Sequence, residues 1–307
     1  MSLMDLESSE RPFLEQLFAP HSGREFLAEY WPTRHLVCHG PLERLGELAA
    51  LPELHDLERL LHTYRNPVMV ALPDRRDEHS VIRVEAQTAA ALYRSGMALI
   101  LDSAERYLPL VEQWLHMVAF ELGLARNAVA RAIFYASPSG GGNSPHFDAN
   151  ANIVVQVRGT KRWTLAPNTQ LPLPTDRWAM NMGPPSPELA SYLEQELPEQ
   201  MPEGAEVITL EPGSVLFVPR GYWHSTEASE DTLALNFTYS QPTWADVVSA
   251  ALRQQLLKDV RWRALADGIG SPDPERSGAC HTRLSELLHE LQAHVLELEA
   301  RKIVEES

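Results

Sequence analysis

A chain of 307 residues, 44% hydrophobic and 22% charged, has enough apolar content to bury a substantial core and excludes a disordered or fibrous polymer. No apolar run reaches the length needed to cross a bilayer, and residues 1–12 lack the basic flank and apolar stretch of a secretory signal, so a soluble cytoplasmic protein is expected. The formal charge of −16 opposes binding to nucleic acid phosphates and favours encounter with basic proteins or peptides.

In chain order, residues 12–60 read as helical. Phe13, Leu14, Leu17 and Phe18 recur at three- and four-residue steps, and Ser22 is placed to cap a helix from Gly23 to Tyr30. These helices are expected to cover one side of a sheet. Between Asn66 and Val84 the β-branched runs 68–70 and 81–84 predict short strands around a turn at Pro73-Asp74. A helix is expected from Leu108 to Leu122, with Leu110, Trp114, Met117 and Val118 on its stripe and Gly123 as its stop.

Residues 130–240 carry the densest β signal. Short strands separated by Pro and Gly predict a jelly roll or barrel, interrupted by a proline- and glutamate-rich insertion at 171–205 with a short helix over 187–196 and the character of a lid. After Gln241-Pro242 the pattern turns helical again. Thr243 and Asp246 form a capping-box pair for a helix to Val260, residues 268–278 break it, and Leu284, Leu288, Leu291, Val295 and Leu298 trace a seam in a last helix. The expected division is therefore a catalytic β domain over 1–240 and a helical dimerisation region over 241–307, making a homodimer. The distant Cys38 and Cys280 fit neither a zinc site nor a disulfide framework, which agrees with a reducing compartment.

The chemistry concentrates at His146-Phe147-Asp148 and His224. Residues i and i+2 of a strand share a face, so His146 and Asp148 point into the barrel while Phe147 packs outside. His224 follows the apolar run 215–218 and the turn at 219–221, where a neighbouring strand can deliver a third ligand. Two imidazoles and one carboxylate on one face of an octahedron leave three positions open, an arrangement associated with non-haem iron oxygenases. Gly140 to Gly142 and Pro145 precede the motif and let backbone approach a ligand closely, and Lys161 lies 15 residues beyond His146. In 233–239 the polar Asn236 and Thr238 alternate with Leu233, Leu235, Phe237 and Tyr239, and Trp163, Phe217 and Trp223 read as core.

The stretch 146–163 together with Pro219-Arg-Gly-Tyr-Trp-His224 resembles the JmjC-type cupin hydroxylases, being most similar to the ribosomal oxygenases and the asparaginyl hydroxylase that acts on hypoxia-inducible factor. The looser resemblance runs over about residues 12–240. It implies a mainly β fold with α elements, a double-stranded β-helix with N-terminal covering helices, holding Fe(II) on His146, Asp148 and His224. It implies 2-oxoglutarate and O2 as cosubstrates, with Lys161 on the distal carboxylate and Tyr135, Asn152 and Asn236 as further cosubstrate contacts. The chain ends at Ser307, whereas ribosomal oxygenases carry a winged-helix domain after their dimerisation helices, which puts recognition by that domain in doubt. The reading that follows is hydroxylation of a basic or ribosomal protein side chain. Small-molecule hydroxylation, N-demethylation and a non-catalytic metal-binding cupin remain open beside it.

Overall fold

Strands form where apolar residues alternate with small or polar ones, and each face of that alternation finds a different neighbour. The computed structural model describes residues 11–72 and 80–306; the turn expected at Pro73-Asp74 lies outside them. Its strands are β1 (Leu36–Cys38), β2 (Val68–Ala71), β3 (Val81–Val84), β4 (Ala98–Leu101), β5 (Val129–Ser137), β6 (His146–Phe147), β7 (Ala151–Arg158), β8 (Lys161–Ala166), β9 (Trp178–Ala179), β10 (Glu206–Leu210), β11 (Val215–Val218), β12 (Trp223–Ala228) and β13 (Thr232–Ser240). They make an antiparallel sheet in the order β1-β11-β7-β13-β5-β4-β2-β3 and a second in the order β10-β8-β12-β6-β9. From β5 onward the chain passes repeatedly between the two sheets, the double-stranded β-helix expected of the sequence.

The larger sheet is covered on its outer face. Phe134, Val155, Phe217, Leu235 and Phe237 pack there against Leu14, Leu17, Phe18 and Phe26 from the N-terminal helices and against Val111, Trp114, Leu115 and Val118. Each such side chain, fully removed from water, contributes roughly 1.5–3 kcal/mol before entropy is counted. The buried stripe of helix Pro109–Glu121 differs in part from the expected one: Leu110 and Met117 flank it, and Val111 and Leu115 join Trp114 and Val118 in carrying it. Ser22 Oγ accepts from Glu25 N as expected and starts helix Gly23–Glu29. Two corrections arise before residue 108. The segment Leu36–Cys38 is a strand inside a region whose pattern is helical, because β11 offers it an open edge, and helix Ala86–Arg94 and strand β4 have no counterpart among the expected elements.

Between the sheets, Val154, Trp163, Leu165, Ile208, Leu210, Leu216, Val218 and Ala234 fill one part of the interior and leave the rest polar. The insertion covers the outer face of the smaller sheet. Leu171, Trp178 and Leu189 bury Phe147, Ala166 and Trp223, so Phe147 does leave the barrel interior but is wholly buried on the other side. The insertion also contributes β9 to the sheet edge beside β6 and a helix, Pro187–Tyr192, shorter than expected and capped by Ser186. The glycine run has a packing role: a Cβ on Gly142 would sit 1.9 Å from Thr226 O, so only glycine lets this loop run against β12.

Close packing separates residues 125–128 and 241–307 as a second unit. Thr243 and Asp246 close a capping box at helix Trp244–Leu256. The last long helix, Pro274–Leu296, starts before Gly278, which was expected to lie in the break; Pro274 at its first turn and the Asp273 side chain on Glu275 N set that start. No residue in helices Trp244–Leu256, Val260–Arg263 and Pro274–Leu296 is buried, and on the last of these Leu284, Leu288 and Val295 are 44%, 54% and 46% exposed. Among the described residues no helix is long and apolar enough to cross a membrane.

Candidate active site

β6 and β12 are antiparallel partners with His146 directly opposite His224, so one register places both imidazoles on the inward face. Each ring is oriented in the same way. His146 Nδ1 is 2.8 Å from Ser144 O and His224 Nδ1 is 2.9 Å from Tyr222 O, in both cases the carbonyl two residues earlier. A carbonyl can only accept, so each Nδ1 carries a proton, and in the neutral ring the lone pair is then on Nε2. Those lone pairs meet at Asp148: His146 Nε2 is 4.0 Å from Oδ1 and His224 Nε2 is 3.6 Å from Oδ2. One donor atom from each of the three residues lies within 4.8 Å of the others, the spacing of a cluster that can hold a metal ion.

Electrostatics agree with that use. Burial, then His224, pushes the His146 imidazole down to about 3, which keeps it a neutral ligand. Burial would raise Asp148, but the adjacent imidazoles whenever they are protonated, together with the Arg177 guanidinium and the Asn152 amide, outweigh it and hold the carboxyl below its ordinary range. Trp163 stacks on His224 with ring centroids 5.7 Å apart and planes at 20°, closing the apolar side of the site. The donor set therefore suits a divalent ion of the iron type on its own chemistry.

Asp148 is held at both oxygens. Oδ2 accepts from Asn152 Nδ2 at 3.1 Å and Oδ1 from Arg177 Nε at 3.2 Å, while Gly221 N donates to its main-chain oxygen. Asn152 is itself fixed, because its Oδ1 accepts from Asn150 Nδ2, Asn236 Nδ2 and Thr238 Oγ1 at 2.9–3.0 Å. The structure thus engages Asn152 directly with the carboxylate, while Asn236 steadies Asn152 through Nδ2 and keeps a buried Oδ1 without a hydrogen-bond partner among the described residues. Pairing of Thr238 with Asn152 across β13 and β7 brings this about.

Further along the barrel interior, Lys161 is 4% exposed and its Nζ donates to Ser137 Oγ at 3.1 Å. Among the described residues no carboxylate pairs with it, and burial alone pushes the ammonium down to about 8. A buried cation with one neutral partner is costly unless an anion arrives. Tyr135 shares a side of β5 with Ser137, and burial followed by Asp148 raises its phenol. Two residues of the site lie outside those expected from the sequence. Ser137 has a signal there, its alternation with Tyr135, whereas Arg177 carries no local signal, since only the pairing of β6 with β9 brings it beside Asp148.

The chain is similar to known proteins. A family model described as JmjC domain matches residues 115–247. YxbC of Bacillus subtilis, described as uncharacterized, is 39% identical over 258 residues, covering 82% of this chain and 78% of its own. Ribosomal oxygenase 1 of Rattus norvegicus is 26% identical over 167 residues, covering 53% of this chain and 25% of that protein, so the chain spans about a quarter of that relative's length. The X-ray structure of Escherichia coli ycfD aligns over 90% of this chain and 69% of that one, with 18% identity and a TM-score of 0.49. With the double-stranded β-helix and its inward His-Asp-His group in place, the chain belongs to the JmjC-domain family of cupin-fold oxygenases.

Proposed function

We propose that this protein is an Fe(II)- and 2-oxoglutarate-dependent oxygenase that hydroxylates a side chain of a protein or peptide. The observation that carries the reading is the convergence of His146, Asp148 and His224 beside a buried Lys161 that has no carboxylate partner among the described residues. Nε2 of each histidine and one oxygen of Asp148 hold the ion. Lys161 binds the distal carboxylate of 2-oxoglutarate by a charge-assisted hydrogen bond, with Tyr135 as a further donor. Bound iron, with O2, supplies the oxidation that converts 2-oxoglutarate to succinate and carbon dioxide and places one oxygen atom in a C–H bond. Trp163 and the apolar residues beside it keep water from the reacting centre.

The charge of −16 and the ribosomal oxygenases among the relatives favour a basic, ribosomal protein segment as the substrate. Purified iron-loaded protein incubated with 2-oxoglutarate and ribosomal proteins is expected to form succinate and to add one oxygen atom to a substrate peptide, read by mass spectrometry. Succinate without any oxidised protein would move the substrate to a small molecule, and no succinate would remove the oxygenase reading.

The helical region 241–307 is proposed as a homodimer interface. Its unburied seam at Leu284, Leu288 and Val295 supports this, since apolar side chains at that spacing are stabilised by a facing helix. Sedimentation is expected to show a dimer that Leu288→Asp converts to a monomer; an unchanged sedimentation coefficient would argue against this seam.

A further inference from the structure

The antiparallel register of β6 with β9 pairs His146 with Ala179 and Phe147 with Trp178, and the next positions outward are Asp148 and Arg177. That places the guanidinium beside one of the three proposed ligands. Its Nε lies 3.2 Å from Asp148 Oδ1 while Nη1 contacts Met182 Sδ at 3.1 Å, so the arginine is gripped by its own insertion as well. Trp178, the next residue, is buried in a cluster with Leu171 and Leu189 and anchors the backbone that carries Arg177.

The two oxygens of Asp148 are consequently unlike each other. Oδ2 accepts from a neutral amide and faces His224, and an oxygen with one amide donor keeps a lone pair for an ion. Oδ1 accepts from a cationic donor, which lowers its electron density and turns it away from a second cation. We propose that Arg177 is a positioning residue that holds Asp148 to ligation through Oδ2 alone, so that three positions on the ion stay open. The inference rests on the metal-centre reading above. Two consequences have definite signs. A carboxylate released from Arg177 can chelate through both oxygens, which removes one open position. Loss of a nearby positive charge also strengthens attraction of a divalent ion.

The test uses Mn(II) alone, added to the full chain without 2-oxoglutarate, and reads water-proton relaxivity, which follows the number of waters on the ion. Wild-type protein must first bind Mn(II) with 1:1 stoichiometry; if it does not, the metal-centre reading itself fails. With binding established, Arg177→Met is expected to lower relaxivity by about one third, as one of three waters is displaced, and to bind Mn(II) about tenfold more tightly. Arg177→Lys, which keeps a cationic donor, is expected to restore wild-type relaxivity. Unchanged relaxivity in Arg177→Met, or weaker Mn(II) binding there, would overturn the proposal. Should Arg177→Met fail to fold by circular dichroism, Arg177→Leu removes the same cation, and the same two readings support or overturn the proposal.

Discussion

Asp148→Ala is expected to abolish succinate formation and to weaken Co(II) binding by at least about 100-fold, since even residues that only support a ligand typically cost 10–100-fold when removed. Asp148 is the sole anion of the group, and both imidazoles converge on it. Its removal has a second effect on the protein alone. The Arg177 guanidinium and the Asn152 amide both donate to this carboxylate, and the variant leaves them without that acceptor. Metal affinity from a Co(II) absorption titration separates the two effects. Retained Co(II) affinity in a folded Asp148→Ala protein would show that the ion, if bound at all, sits elsewhere.

Lys161→Met is expected to produce a protein that is more stable but binds 2-oxoglutarate far more weakly. An ammonium whose folded-state pKa lies at about 8, against 10.5 when unperturbed, disfavours folding by about 3 kcal/mol wherever it remains charged. That penalty is fully present below pH 8. It is relieved as pH rises from about 8 to 10.5, because there the unfolded chain still holds a proton that the folded one has released. Urea denaturation at pH 7 is therefore expected to show the variant more stable by up to about 3 kcal/mol, with the gap closing towards pH 10. Affinity for 2-oxoglutarate in the metal-loaded protein is expected to fall by about 100-fold, the loss of a buried charge-assisted pair. A variant that is less stable than wild type at neutral pH, or one that binds the cosubstrate normally, would remove Lys161 from its assigned role.

Asp148 and Lys161 act through local patterning and through distant strand pairing together. The identity of both residues is visible in the sequence, as is the inward direction of the His-x-Asp pair, because strand alternation is a local property of two residues per repeat. The capping box at Thr243 and Asp246 is legible for the same reason: a cap is satisfied within one turn. Local patterning is weaker where neighbours compete. Strand β1 falls in a region read as helical, since its pairing partner on β11 lies far along the chain, and helix Pro109–Glu121 keeps a helical period but buries Val111 and Leu115 in place of Leu110 and Met117, because packing against the sheet selects the face.

By itself, then, the sequence determined the β-helix, the three candidate ligands and the lysine 15 residues beyond the first of them, through residue type, short-range periodicity and likeness to a known family. Only the tertiary structure decided what surrounds them. Asn152 donates to Asp148 and is itself held by Asn236, Gly142 is required by the backbone of β12, and Arg177 crosses from the insertion to the carboxylate. Each of these depends on which strands pair and in what register, and register is set by the simultaneous burial of many distant side chains rather than by any single segment.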